Sequence, residues 1–459
     1  MKETRPFSMK DKIGYTLGDL GCCCTEQFRA MYLAIFYTLV LKVNPVHVGI
    51  LMLITKLWDA INDPLIGALV DSHQNKGKGK FIPWIKFFAF PTAVLCILGF
   101  VNVSNFAYGA RLAYMFITYV VYEIMYTCVS VPFGSLSSVM TDDVNQRTDL
   151  SRFRSLGGTI FMTVIVIAGP LFLYKDNQPV PSHFLIMAAI CAVIGFICLM
   201  FTSHWCKERI ITEPVAKEKE KLNYLDVLKA ISKNKALLGV MLSSFIGIVG
   251  AGMVNGLNTY LFRDYFGNVA IMAVSGMLSV IWSLIAFIGT KFVAKKFGKK
   301  EWIMYSATFS VVVYAILFFF PLENPLLFII INGICYLGVS GFQVLVWALV
   351  NDAIDYQELQ TGKRNEGIVY SAYTFFRKLA NAVSGSMSSF ALAIAGFQVN
   401  EAVQNEAFSG HLWKTYTGLY VVGYLLAVLV LKFIYPLTKE KTAEMLQDLA
   451  DKRNATTAE

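Results

Sequence analysis

Two carboxylates and an amide share one helical turn inside an apolar run. They are Asp59, Asn62 and Asp63 in Lys56-Leu57-Trp58-Asp59-Ala60-Ile61-Asn62-Asp63-Pro64-Leu65-Ile66-Gly67-Ala68. At i, i+3 and i+4 their oxygens project from the same helix face. A carboxylate at mid-bilayer costs about 2.5–3.5 kcal/mol on insertion scales, and two on one turn cost more unless something neutralises them. Lys56, one turn earlier on that face, offsets one charge and leaves the other. A bound cation is the natural remainder, since carboxylate and amide oxygens are hard ligands. The alternative is an internal salt bridge that only packs helices.

Other polar residues interrupt apolar stretches in the same way. Asp19, Glu26 and Arg29 do so near the start, and Glu123, Tyr126, Thr127 and Ser130 further on. Tyr126, Ser130 and Gly134 form an i, i+4, i+8 ladder, so one stripe offers an aromatic ring, a hydroxyl and a gap. A sugar stacks its ring on aromatics and seeks directional partners for its hydroxyls. Helix packing through small residues explains the same spacing. The adjacent cations Arg377 and Lys378 are costly on one span unless they face a wet cavity or acidic partners.

Several chemistries are absent from the sequence. His47, His73, His183, His204 and His411 all fall in loops or at span ends, so no imidazole serves mid-span as a proton relay or metal ligand. The nine cysteines contain no CxxC pair. Consecutive Cys22, Cys23 and Cys24 point in different directions on a helix and cannot all hold one ion. There is no Walker A lysine motif, no HExxH and no GxSxG, so neither direct use of ATP nor an enzyme is expected.

Long apolar elements must position these groups. Hydrophobic residues make up 56% of the chain and charged residues 15%, with a mean hydropathy of +0.55. A soluble domain of this size would expose more charge. Runs able to cross a bilayer about 30 Å thick recur throughout. They predict an all-α membrane protein with spans at 15–41, 47–71, 83–103, 107–139, 152–175, 182–203, 237–262, 268–294, 301–321, 325–352, 366–397 and 412–436. The opening Met1-Lys2-Glu3-Thr4-Arg5 has no apolar h-region, so no signal peptide is expected there.

Lys and Arg sort by loop. Lys76, Lys78 and Lys80 follow the second span, Arg147 the fourth, Lys207 to Lys235 the sixth, Lys291 to Lys300 the eighth, and Lys363 and Arg364 the tenth. The opposite loops hold only Lys42, Arg111, Lys175, Arg263 and Lys414. The positive-inside rule then places both termini in the cytoplasm. The net charge of +9 follows from this bias and calls for no nucleic-acid partner.

The long polar stretch at 204–236 divides the chain into halves, 1–203 and 237–436, with a polar tail at 437–459. The halves echo each other. Gly67 to Asp71 and Gly77-Lys78-Gly79-Lys80 follow the second span, as Gly289-Thr290-Lys291 and Lys295 to Lys300 follow the eighth. Thr141-Asp142-Asp143 with Arg147 is matched by Asn351-Asp352 with Arg364. Echoes six spans apart indicate parallel repeats, the plan of the major facilitator fold, with substrate held near the midplane between halves.

Five stretches, Lys12 to Asp19, Trp58 to Pro64, Gly79 to Trp84, Thr361 to Gly367 and Tyr435 to Leu437, are collinear with family motifs, and over nearly its whole length the chain resembles the glycoside–pentoside–hexuronide cation symporters. Lys12-Ile13-Gly14-Tyr15-Thr16-Leu17-Gly18-Asp19 is similar to the family's opening KxGYGxGD. Trp58 to Pro64 matches its second-span signature, and Gly79-Lys80-Phe81-Ile82-Pro83-Trp84 its GKFxPW loop. Thr361-Gly362-Lys363-Arg364-Asn365-Glu366-Gly367 is close to TGKRxEG, and Tyr435-Pro436-Leu437 to the usual ending.

That resemblance implies a transporter of a bacterial cytoplasmic membrane, acting as a monomer in the bilayer. It takes up a sugar, glycoside or uronide together with Na⁺, Li⁺ or H⁺, and needs no other cofactor. The implied cation site is Asp59, Asn62, Asp63 and Thr127. The substrate-binding set is Cys23, Glu26, Tyr126, Ser130, Arg154, Gln343, Tyr373, Thr374 and Lys378, with Arg152 an alternative to Arg154 and Lys378 close to the cation site. Asp71, Arg147, Arg364 and Glu366 are expected to brace the cytoplasmic loops. Departures fall where sugar choice should lie. Cys23 and Ser130 replace two aspartates of the family's melibiose-carrier pattern, and Gly134 and Gln343 replace two tryptophans. With acids lost and Arg29, Arg154, Arg377 and Lys378 kept, an anionic sugar becomes an option beside a neutral glycoside. A proton symporter and a non-transporting membrane sensor are the alternatives.

Overall fold

The computed structural model describes residues 5–72, 79–210, 234–361, 366–401 and 404–458, and among them the chain forms thirteen α-helices. The first six are α1 (Met9–Ile35), α2 (Pro45–Ser72), α3 (Ile82–Leu98), α4 (Tyr108–Met140), α5 (Val144–Phe172) and α6 (Pro181–Trp205). The next six are α7 (Lys235–Tyr260), α8 (Met272–Phe297), α9 (Lys299–Phe319), α10 (Pro325–Thr361), α11 (Glu366–Ile394) and α12 (Glu406–Phe433), followed by α13 (Lys439–Ala458). They fall into two compact units, one holding α1–α6 and the other α7–α13. Among the described residues eight helices are long and apolar enough to cross a membrane, and α3 is a shorter apolar helix. Of the remaining four, α13 is polar, and α1, α2 and α11 carry charged residues in mid-helix. Those three hold most of the candidate residues.

Helix ends follow capping chemistry more closely than hydropathy. Asp143 accepts hydrogen bonds from the backbone N–H of Asn145 (2.7 Å) and Gln146 (3.1 Å), so α5 starts at Val144 and not near 152. Arg147 therefore lies in the first turn of α5 and not in a loop. It donates to the carbonyls of Thr141 (2.9 Å) and Ser138 (3.1 Å) at the end of α4. Asn405 caps α12 through the N–H of Phe408, moving its start to Glu406 from the expected 412. α10 runs to Thr361, past the expected 352, and α3 stops at Leu98, short of 103. α5 gives way at Phe172 to a two-stranded hairpin, Tyr174–Lys175 against Gln178–Pro179, turned by Asp176 and Asn177 at φ 50° and 62°.

The two units share devices that the sequence echoes did not contain. In each, the first helix ends in a π-helical turn, Phe36–Val40 after α1 and Leu261–Tyr265 after α7. In each, the first and fifth helices approach through glycine. A Cβ on Gly157 of α5 would strike the carbonyl of Thr16 on α1, and one on Gly252 of α7 would strike Ser384 of α11. One pair of echoed regions does meet: Lys299 at the start of α9 holds both oxygens of Asp352 on α10 at 2.7 Å.

Tyr15, Phe133, Leu136, Ile85 and Leu199 anchor the core of the first unit. Val240, Leu349, Val350, Tyr373 and Tyr435 anchor the second, where Met445 and Leu449 seat α13. The polar tail is thus a docked helix. Asp11, wholly buried, fixes the start of α1 by accepting from the N–H of Ser8 (3.0 Å) and pairing with Arg5 (2.7 Å) and Arg209 (3.0 Å). Nearby, burial pushes the Cys206 thiol up to about 12.

Candidate functional site

In the first unit the acidic residues of α2 meet α1 and α4. The Lys56 ammonium lies 3.1 Å from Asp59, 3.3 Å from Glu123 of α4 and 3.6 Å from Glu26 of α1. Glu123 is the deepest of the three, its side chain 4% exposed. One turn along α2, Asp63 accepts a hydrogen bond from the Thr127 hydroxyl at 3.3 Å. Asn62 is buried and its amide nitrogen has no partner, and one buried oxygen of Asp59 has none either. The cluster holds four carboxylates and one ammonium.

Arg29 adds charge without an ion pair. It is 2% exposed, its guanidinium packs 3.6 Å from the ring centre of Tyr122 and 5.1 Å from that of Tyr119, and none of its nitrogens has a hydrogen-bond partner. Glu26 stands three residues before Arg29, within reach on the same helix, but it turns to Lys56 instead. Aromatic faces take the place of a carboxylate there.

The other candidates of this unit gather around Asp19. Arg154 of α5 pairs with it at 3.0 Å, the Gly158 N–H donates to it at 2.9 Å, and the Cys23 thiol lies at 3.9 Å. Arg154 is thus committed to a carboxylate and stacks over Phe133 at 5.3 Å. Tyr126 is half-buried and stacks on Tyr122 at 5.8 Å, while Ser130 is half-buried and Gly134 exposed.

In the second unit a cavity of about 70 Å³ is lined by Gln343, Trp347, Tyr373, Arg377 and Tyr424 among mostly apolar residues. The Arg377 guanidinium lies 5.5 Å from the ring centre of Trp347, which stacks on Tyr370 at 5.3 Å. Tyr373 is 1% exposed, and the Ser244 hydroxyl bonds to its oxygen at 3.4 Å. Thr374 donates to its own helix at the Tyr370 carbonyl (2.8 Å), and Lys378 is exposed and does not line the cavity. Arg364 and the side chains of Asp71 and Glu366 lie outside the described residues.

Over residues 14–439 the chain matches the family described as MFS/sugar transport protein. The chain belongs to that family. This transporter is 32% identical to the uncharacterized symporter YjmB of Bacillus subtilis over 97% of its own length and 96% of the relative's. It is 28% identical to the isoprimeverose transporter of Lactiplantibacillus pentosus, over 98% and 93% of the two chains. Among solved structures, a D-xylose–proton symporter superposes with a TM-score of 0.63 at 14% identity, covering 94% of this transporter and 98% of that chain. The major facilitator fold and a membrane setting follow from these likenesses.

Two features of the transporter's site escaped sequence reasoning. Glu123 lies four residues before Thr127, so the spacing already put both on one face of α4, yet its pairing with Lys56 needed the packing of α2. Trp347 stands four residues after Gln343 and shares its face, and it supports Arg377 from α10.

Proposed function

We propose that this transporter couples the inward movement of one alkali cation, Na⁺ foremost, to uptake of a sugar, glycoside or uronide by alternating access. Asp59 and Asp63 would hold the cation, with Asn62 and Thr127 completing the shell. The observation that carries this reading is the bond between Thr127 and Asp63, which draws α4 onto α2 beside an Asp59 oxygen that has no partner. A cation there would neutralise part of a cluster in which three carboxylates share one ammonium and a fourth, Asp63, accepts from the Thr127 hydroxyl. It would also tie α2 to α4, so that a filled site organises the stripe of Tyr126 and Ser130 on α4, which is coupling in the thermodynamic sense. A membrane potential of 100 mV gives about 2.3 kcal/mol per charge, enough for roughly fifty-fold accumulation with one cation per sugar. The names of the relatives, a symporter, an isoprimeverose transporter and a D-xylose–proton symporter, support sugar symport.

Proton coupling is the second reading. It is favoured by Glu123, a buried carboxylate that shares a single ammonium with Glu26 and Asp59. Uptake of labelled sugars into proteoliposomes, with a sodium gradient or a pH gradient imposed separately, distinguishes the two. Asp59→Cys should abolish concentrative uptake while leaving sugar exchange. Accumulation that needs neither gradient, or that survives Asp59→Cys intact, would remove the proposed site.

A further inference from the structure

We infer that the transported sugar is anionic, carrying a carboxylate or sulfonate, and that Arg377 in the cavity of the second unit is the residue that reads this charge. The inference rests on the sugar-symport reading above and assigns its substrate class. It starts from an inventory of the cations set within the helices. Lys56 is held by three carboxylates, Arg154 by Asp19, Lys299 by Asp352 and Arg263 by Asp264. Arg29 is sealed beneath Tyr122 and 2% exposed, so it meets no solute. Arg29 and Arg154, the retained cations of the first unit, therefore do not supply an open positive site, which leaves Arg377 and Lys378 of the second to carry the expectation of an anion.

Lys378 is exposed and lies off the cavity, and Arg377 differs from all of these. Among the described residues of its own unit it forms no hydrogen bond and no ion pair, it lines a cavity, and no carboxylate lines that cavity. Its guanidinium rests on the face of Trp347, which is itself stacked on Tyr370. Stacking fixes the plane of the guanidinium and leaves its N–H fork free at the edge, the geometry that matches an oxyanion in a bidentate way. The volume of about 70 Å³ is several times the roughly 10–15 Å³ that one water needs, room for an acidic group and the carbon bearing it. Gln343 and the aromatic rings of Tyr373 and Tyr424 line the same space and suit the adjoining ring edge.

The energetics favour the acid over its neutral counterpart. A neutral sugar seated here strips water from the guanidinium and returns no charge, and leaving a buried charged donor unpaired is costly. Sites built around a polar partner reject analogues that lack it far better than apolar pockets do. Arg377 is thus a specificity-determining residue, and Trp347 positions it.

The test is a competition panel against a labelled substrate in proteoliposomes, using a methyl glucoside, its 6-carboxylate and its 6-sulfonate. The wild-type protein should bind at least one acid about tenfold or more tightly than the neutral glucoside. The two acid arms tell carboxylate from sulfonate. Arg377→Gln should cut that ratio by about tenfold, and Arg377→Lys, which keeps the charge but loses the fork, should fall between. Ligand-induced thermal stabilisation of detergent-solubilised protein gives the same ratios if a variant transports poorly. A wild-type preference for the neutral glucoside, or an acid preference that survives Arg377→Gln, overturns the inference while leaving sugar symport standing. Failure of every sugar, neutral or acidic, to bind would sink the symport reading itself.

Discussion

Removing the ammonium from the first unit's cluster should be the most destabilising single change within it. Lys56→Met keeps the length and apolar stem of the side chain and leaves Glu26, Asp59 and Glu123 with no cation between them. The three separations, 3.1, 3.3 and 3.6 Å, correspond to a gross attraction of about 5 kcal/mol each at an effective dielectric of 20. Most of that is offset by desolvation. Measured losses on deleting one partner of a buried pair run about 3–5 kcal/mol, and that is the expected cost here. Exposure decides where the strain falls. Glu26 and Asp59 side chains are 22% and 20% exposed and can recruit water, whereas Glu123 at 4% cannot. Glu123→Gln should therefore repair Lys56→Met. Apparent melting temperatures in detergent should rank wild type, then Glu123→Gln, then the double variant, then Lys56→Met, with a coupling of about 2 kcal/mol. If the two single effects add to within about 0.5 kcal/mol, the residues do not interact and the cluster as described is wrong.

Two further outcomes are expected. Thr127→Val keeps the shape of the side chain but removes the donor to Asp63, so the sodium concentration for half-maximal uptake should rise about tenfold, with any residual uptake in the absence of sodium unchanged. Glu208 accepts from the N–H groups of Lys80 (2.6 Å), Phe81 (2.8 Å) and Ile82 (2.7 Å) and so caps α3. Glu208→Ala should cost about 1–2 kcal/mol in thermal unfolding, and Glu208→Gln, which keeps an acceptor oxygen, should cost less.

The elements were legible in the sequence because apolar length is a local property, and so was the acidic face of α2, because helical spacing fixes it. Asp59, Asn62 and Asp63 needed no tertiary information to be placed on one side. Helix ends were less legible. Hydropathy marks where polar residues begin and not where the helix stops, and Asp143 and Asn405 carry α5 and α12 outward beyond the apolar stretches. Partner choice was the least legible. Glu26 lies at a spacing that suits Arg29 on its own helix, yet it turns to Lys56 on another, and Arg29 finds aromatic faces. Such choices depend on which helices touch, and that is settled by close approaches such as Gly21 to Gly195, where an added Cβ would sit 2.9 Å from the opposing carbonyl oxygen.

The three charged helices, α1, α2 and α11, bear on how the chain is made. A nascent helix entering the bilayer alone must leave its polar groups unpaired, and each charged residue near its centre opposes insertion by about 2.5–3.5 kcal/mol. The partners of Lys56 and Asp63 lie on α1 and on α4, so α2 emerges from the ribosome before half of its counter-groups exist. Its pairing is complete only once Glu123 and Thr127 have been synthesised. Biogenesis of the first unit is thereby a cooperative event that completes only with α4. A chain released after α3 would hold Asp63 without the Thr127 hydroxyl and Lys56 without Glu123, and its second helix would sit in the bilayer with those groups unpaired.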